Sequence, residues 1–329
     1  MISVVIPTYN NAAYIAQALD SVFAQSFRDY EVIVVDDGSS DETRDVLQRY
    51  GDRLRYVFQK NQGLAVARNT GLGLATRDYV TYLDADDVWH QDNLQVKADV
   101  LRAHPDLGGV FSEFMIFDES GVRHPRGTRQ LFPFFDRTGR EIGDVFSNRD
   151  TVALPGGGAA PVYFGKVFDS LFWGNFILPT SMVFSRARAR QVGEFRPELR
   201  TQQDYEYWLR FTQQHSLAFV DEVLVKYRRH ANQLTDHSRI ENIFLAIHRI
   251  IDQYEDYFSK MGRTREYARR KAGLQTELAK VYIRQGRLPE ARARLTDSIR
   301  RDMTYLPAYA ALAISVVPYR WIESVRGRA

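Results

Sequence analysis

The sequence predicts an α/β domain on a mostly parallel, Rossmann-like sheet flanked by helices, followed by an all-helical C-terminal appendage. Three observations carry that expectation. Four short runs in the first hundred residues, Ile2–Ile6, Tyr30–Val35, Leu54–Phe58 and Tyr79–Leu83, are mostly apolar without clean in–out alternation, which marks strands covered on both faces. Between them, Tyr14–Ala24, Thr43–Tyr50 and Leu64–Ala75 place apolar residues at helical spacing, so strand and helix alternate and the crossovers should be right-handed. From about Arg239 onward the pattern is helical throughout.

Further along, a helix over about Asp92–His104 leads into another apolar strand, Val110–Phe117. Residues 119–165 hold Gly, Pro and Arg throughout, with the run Pro155-Gly156-Gly157-Gly158, and read as one irregular insertion. A loop of that length is usually a functional lid or a disordered segment. Phe168–Phe176 reads as a short aromatic helix, Ser181–Phe184 as a strand, Asp204–Gln214 as a helix, and Leu217–Val220 with Val223–Tyr227 as paired strands. The expected division is 1–118 and 119–238 as two halves of one domain, with 239–329 as a helical region. In that region Leu278–Arg287, Ala291 and Leu295 resemble one tetratricopeptide hairpin, although stacked repeats normally come in threes or more.

With 44% hydrophobic and 26% charged residues, the 329-residue chain has the balance of a soluble globular protein. No apolar run approaches the length that spans a bilayer, and the Met1–Pro7 start lacks the basic region and cleavage site of a signal peptide. The absence of cysteine excludes disulfides, zinc–thiolate sites and thiol nucleophiles. A cytoplasmic location is the default expectation. Charge is unevenly divided: residues 239–329 hold 18 Lys and Arg against 10 Asp and Glu, and the preceding residues hold 26 against 31. A basic tail on an acidic body suits an anionic partner. No nucleic-acid-binding motif is present, so a membrane surface is the better candidate.

Polar clusters follow three of the strands: Pro7-Thr8-Tyr9-Asn10, Asp36-Asp37-Gly38-Ser39 and Asp84-Ala85-Asp86-Asp87. In an open parallel sheet all of them lie at the carboxyl edge, where ligands bind. Asp84 and Asp86 leave the last of these strands on one side, able to grip one hard cation together. Two carboxylates are too few to cage Mg²⁺ or Mn²⁺, which keeps positions for water and substrate phosphates. Each cluster alone has a plainer reading as a polar turn or helix cap. Their occurrence on one edge points to a binding site.

Val4-Val5-Ile6-Pro7-Thr8-Tyr9-Asn10, Val34-Val35-Asp36-Asp37-Gly38-Ser39-Ser40-Asp41, Gly63-Leu64-Ala65-Val66-Ala67-Arg68-Asn69 and Leu83-Asp84-Ala85-Asp86-Asp87 occur in the order found in family 2 glycosyltransferases. The chain resembles that family over residues 2–230. The resemblance implies the GT-A (nucleotide-diphospho-sugar transferase) fold and inverting transfer from a nucleotide sugar, most readily a UDP-sugar. It implies that Pro7, Thr8 and Tyr9 line the nucleotide pocket, with Tyr9 stacking on the base. Asp37 would accept the imide N–H of uracil, with Asp36 beside it as a contributor or a structural acid. Arg68, with Lys60 as a weaker candidate, would lie near the ribose or diphosphate. Asp84-Ala85-Asp86 would be the DxD motif, with Asp86 the direct metal ligand and Asp84 on the ribose or on the ion through water.

Inverting transfer needs a carboxylate to take the acceptor hydroxyl's proton on the face opposite the leaving group. The resemblance supplies it from a Glu-Asp pair opening a helix. Here the match is Gln203-Asp204-Tyr205-Glu206-Tyr207-Trp208-Leu209-Arg210, in which Gln replaces Glu and the presumed base, Asp204, is retained. Asp204 also suits a helix N-cap, both roles can hold together, and Glu206 is the fallback base. His230 follows the last strand, where related enzymes often place a histidine near the metal or diphosphate; the alternative is a surface histidine. Arg228 and Arg229 either help neutralise the diphosphate or form a solvated turn. Two markers of processive synthases are missing, a Gln-x-x-Arg-Trp sequence after Asp204 and flanking transmembrane helices, so one sugar per encounter is expected. Two rival readings stay open. One is a polyprenyl-phosphate sugar synthase, which needs no strong base; the other is a non-catalytic nucleotide-sugar-binding scaffold.

The acceptor, a glycan or lipid-linked glycan, is expected against Phe164–Thr180. There Phe168, Phe172, Trp173 and Phe176 form either a stacking wall or helix core, and Gln203 is a further acceptor contact. The insertion 119–165 can close over the donor and exclude water. Ala308–Arg328 mixes aromatic, aliphatic and basic residues, as in a helix lying on an anionic membrane, or else forms a last helix docked on the tail. The membrane reading puts the protein peripherally at the inner face. A homo-oligomer is compatible with the chain.

Overall fold

The computed structural model describes residues 1–230 and 240–316. The chain forms two compact units, the first of them Met1–His230. In the first, β1 (Ile2–Thr8), α1 (Ile15–Phe23), β2 (Tyr30–Asp36), α2 (Thr43–Gln48), β3 (Arg55–Phe58), α3 (Leu64–Leu74) and β4 (Tyr79–Tyr82) follow the expected alternation. Every residue of β1 is buried, as a strand covered on both faces requires. The four strands are parallel in the order β3-β2-β1-β4. The chain steps outward from β1 to β2 and β3, then returns to β4 on the other side. That reversal makes a switch point between β1 and β4, the usual place for a ligand in such sheets.

A turn at Asp84–Asp87, closed by the Asp87 N–H donating to the Asp84 carbonyl at 3.0 Å, leads to the two-residue strand β5 (Val88–Trp89). That strand was absent from the sequence expectation. Then come α4 (Asn93–Ala103) and β6 (Gly109–Asp118).

Residues 119–165 are not an irregular insertion. They hold β7 (Gly121–His124), the short helices α5 (Thr128–Leu131) and α6 (Pro133–Thr138), and the hairpin β8 (Asn148–Ala153) and β9 (Ala159–Gly165). The glycine run is the hairpin's turn, with Gly157 and Gly158 at φ +99° and +82°, conformations that glycine alone adopts without penalty. β8 is an edge strand exposed at all but Val152. Its composition therefore carries no apolar run to read, as is common at edges.

After α7 (Phe168–Trp173), β10 (Val183–Ser185), α8 (Arg186–Val192) and α9 (Gln203–Gln214), β11 (Leu217–Arg228) is one strand where two paired ones were expected. Its pairing with β6 slips between Val220 and Val223 and again before Val225, so a bulge, not a turn, interrupts the apolar pattern. The sheet runs β3-β2-β1-β4-β10-β6-β11-β9-β8. It is parallel through β1–β4 but mixed beyond, because β10 enters antiparallel between β4 and β6.

In the second unit, α10 (Ile240–Asp252) and α11 (Glu255–Lys260) precede α12 (Thr264–Arg284) and α13 (Leu288–Arg301), a hairpin turning at Gly286. Its core joins Leu278, Ala279, Tyr282, Ala291 and Leu295 to Ala308 and Ala311 of α14 (Leu306–Val316). Most of the Ala308–Arg328 segment lies outside the described residues. Among the described residues, no helix is long and apolar enough to cross a membrane.

Candidate functional site

Thr8 lies opposite Asp36 in the β1–β2 register, and just beyond it the Asp37 N–H donates to the Thr8 carbonyl at 2.8 Å. The two following loops are stitched together. Asn10, in left-handed backbone at φ +53°, accepts the Ser40 N–H on Oδ1 at 2.8 Å and donates its own N–H to Ser39 Oγ at 2.9 Å. Asn tolerates that conformation better than most residues. Pro7 and Thr8 are buried in this framework, whereas Tyr9 is 49% exposed at the edge.

The adjacent carboxylates of Asp36 and Asp37 are held differently. Asp36 accepts the Ser39 N–H at 2.8 Å and the Tyr56 hydroxyl at 2.9 Å, one on each oxygen. Asp37 Oδ1 accepts from Gln59 Nε2 at 2.7 Å and the Gln62 N–H at 2.9 Å, and its Oδ2 accepts the Gly63 N–H at 2.7 Å. A carboxylate has about four acceptor positions, so one on Oδ2 remains. Lys60, on the loop that wraps Asp37, is exposed.

At the end of β4, Arg68 from α3 is 2% exposed and pairs with Asp84 Oδ1 at 2.9 Å. Its buried Nε has no acceptor among the described residues. Ala85 is buried in the turn. Asp86 Oδ2 meets His230 Nε2 at 2.9 Å, and the histidine ring lies 4.8 Å from that of Tyr14. Arg228 braces the turn from β11. Its N–H donates to Asp87 Oδ1 at 3.0 Å, and its Nε donates to the Asp86 carbonyl at 2.8 Å. At 8% exposure it is neither a solvated turn residue nor a free cation. His230, far away in sequence, is thus brought onto the acidic turn.

The same site receives Asp204 from the first turn of α9. Gln202 before the helix is left-handed at φ +61°, a conformation that a non-glycine residue keeps only when its surroundings fix it. Asn175 Nδ2 donates to Asp204 Oδ2 at 3.2 Å while Asn175 Oδ1 accepts the Ile177 N–H at 3.1 Å. Asn175 orients the carboxylate and was not among the sequence candidates; no local motif flags it. Burial pushes the Asp204 carboxyl above the ordinary range, Arg68 pulls it back and Asp84 adds to the rise. Those two influences place Asp204 within electrostatic reach of the acidic turn. Glu206, by contrast, is fully buried and clamped by Arg210 at 2.8 Å and Arg196 at 3.0 Å. Of the residues expected at the acceptor, Trp173 is half-buried and Gln203 is buried. Phe176 is 1% exposed and packs on Phe111, Phe134 and Phe135, so its ring belongs to the core.

Burial, and then repulsion from Asp84, raises the Asp86 carboxyl, with the His230 hydrogen bond opposing. Burial, then Asp86 and Asp84, raises Asp87 further. Burial and the crowding of Asp84, Asp86 and Asp87 thus disfavour their charged forms, and a divalent cation would relieve that repulsion. Among the described residues no three His, Asp or Glu side chains group into a ready cage. One carboxylate and one imidazole, with Asp84 beside them, fit Mn²⁺ or Mg²⁺ that takes its other ligands from a diphosphate and water.

Residues 3–154 match the family model described as "Glycosyl transferase family 2". An uncharacterized glycosyltransferase of Rickettsia prowazekii is 28% identical over 262 residues, 79% of this chain and 70% of that protein. TuaG of Bacillus subtilis, by its name a teichuronic acid biosynthesis glycosyltransferase, is 44% identical over 99 residues, 29% of this chain and 39% of its own length. Among solved structures, Staphylococcus aureus TarS 1–349 in complex with UDP-GlcNAc superposes with a TM-score of 0.64 at 18% identity, covering 99% of this chain and 91% of that one. The mannosyltransferase PcManGT of Pyrobaculum calidifontis, in complex with GDP-Man and Mn²⁺, gives 0.56 at 20% identity, covering 99% and 84%.

Proposed function

Because this chain is a glycosyltransferase that carries a glycosyl transferase family 2 domain on the GT-A fold, we propose that it moves one sugar per encounter, with inversion, from a UDP-sugar to a glycan hydroxyl. One observation carries the reading: Asp204 comes within the electrostatic influence of both Arg68 and Asp84, although it lies 120 residues beyond the acidic turn.

The nucleotide pocket is the β1–β2 edge. Tyr9 offers an exposed ring for stacking, and the remaining lone pair of Asp37 accepts an imide N–H. Pro7, Thr8 and Asp36 hold that edge in shape. Arg68 and Asp84 act at the ribose and diphosphate, with Lys60 as an outer cation. Asp86 and His230 hold the divalent cation, which when bound supplies positive charge to the departing diphosphate. Asp204, oriented by Asn175, takes the proton from the acceptor hydroxyl as the glycosidic bond forms. A carboxyl raised by burial suits that role better than an ordinary aspartate, because its conjugate base is stronger. A lipid-phosphate acceptor would not need such a base, so the hydroxyl acceptor is favoured. Trp173 and Gln203 line the acceptor side. The teichuronic acid in the name of TuaG supports a cell-envelope polysaccharide as acceptor, and a chain without cysteine fits a cytoplasmic site of action.

A donor-hydrolysis screen across UDP-, GDP- and dTDP-sugars with Mg²⁺ or Mn²⁺ tests this. Metal-stimulated release of UDP is the expected result. Metal-independent binding of every nucleotide, with no turnover, would contradict it.

A further inference from the structure

The segment between α8 and α9, residues 193–202, is a strap across the donor half. Its start is clasped by Asn69, whose Oδ1 accepts the Phe195 N–H at 2.8 Å and whose Nδ2 donates to the Phe195 carbonyl at 2.7 Å. The Phe195 ring stacks on Tyr207 of α9 at 3.9 Å and lies edge-on to Tyr82 of β4. From there the strap runs back along α3 toward its N-terminus, six residues or about 9 Å of helix. At that end Arg200 Nη1 lies 3.8 Å from the position a Cβ would take on Gly63.

Arg200 is exposed and makes no ion pair among the described residues. It caps nothing, since a guanidinium has no acceptor for helix-start N–H groups, and those of Gln62 and Gly63 donate to Asp37. An unpaired cation beside a helix N-terminus gains nothing from the helix dipole. Its location is what distinguishes it. β2, which ends at Asp36 immediately before Asp37, lies between β1 and β3. Tyr9 therefore stands on one side of the Asp37 carboxylate, and the 59–63 loop that carries Arg200's contact stands on the other. Tyr9 and Arg200 are both exposed planar groups, and Arg200 reaches Gly63, whose N–H donates to Asp37 Oδ2. Guanidinium planes stack on aromatic rings as well as pairing with anions.

We propose that Arg200 is a donor-specificity residue: its guanidinium covers the second face of the nucleobase whose first face lies on Tyr9 and whose N–H edge meets Asp37. This rests on the nucleotide-sugar reading and deepens it, because it assigns a residue of the acceptor half to recognition of the base. Binding the base would then fix the strap, which leads directly into Gln202 and the base Asp204.

The test is calorimetric binding of uridine, UMP and UDP to the full chain, as wild type, Arg200→Ala and Arg200→Lys, with thermal melts to confirm equal folding. The Ala variant should weaken all three ligands by a similar five- to tenfold, about what one stacked cation contributes. The Lys variant should do no better, since it keeps the charge and loses the plane. Unchanged binding, a loss confined to UDP, or recovery by Lys would overturn the assignment. Failure of the wild type to bind any of the three would instead remove the UDP-sugar reading itself.

Discussion

Residues 1–118 place Tyr9, Asp37 and Asp84–Asp87 on the ends of neighbouring parallel strands. Residues 119–230 contribute Asp204, Asn175 and His230 from a helix start, a loop and a strand end. In the first half the chain positions its own site: each functional group follows an apolar strand whose register is fixed by burial on both faces. In the second half nothing local does this. Asp204 is delivered by a left-handed residue at Gln202, a clasp between Asn69 and Phe195, and an orienting amide from Asn175. On the proposed reading the donor side is built from secondary structure and the acceptor side from tertiary contacts, so the two should fail differently.

Asp204→Asn should have the largest effect, lowering transfer about 10³-fold while leaving UDP affinity unchanged. It should also raise Tm by about 2 °C. The sign follows from burial, which disfavours the charged carboxylate in the folded state, a penalty that a neutral amide avoids. In the wild type, activity should fall as pH drops through the raised Asp204 value, placing the acid limb above the ordinary aspartate range of about 4. Asp86→Ala should cost about 10²-fold in kcat/KM and abolish the response to Mn²⁺ titration. Asn69→Ala, which loosens the strap without touching a reacting atom, should cost about tenfold in kcat. Glu206→Ala should barely change kcat per folded molecule, yet destabilise the fold by about 2 kcal/mol, because it leaves Arg210 and Arg196 without their buried partner. A loss of chemistry in that last variant would blur the contrast between Asp204 as base and Glu206 as brace.

The same contrast explains what was legible in the sequence. The β1–β4 alternation and the three edge clusters were visible because period, burial and turn chemistry agreed there. The 119–165 segment was misread because β8 faces solvent along almost its whole length. β11 looked like two strands because a bulge breaks its pattern. Asn175 and Arg200 were invisible, since an amide in a loop and one arginine among many carry no periodic signal. Phe176 could be read as wall or core, and only the packing of Phe111, Phe134 and Phe135 against it decides.

The central claim is that one carboxylate base faces the diphosphate-holding turn across the sugar, which forces inversion. The most direct measurement is the anomeric configuration of the sugar first released when the enzyme hydrolyses an α-linked UDP-sugar, read by proton NMR before mutarotation. The β-anomer is predicted. Initial release of the α-anomer would mean a second displacement on the same face, and would contradict the role given to Asp204.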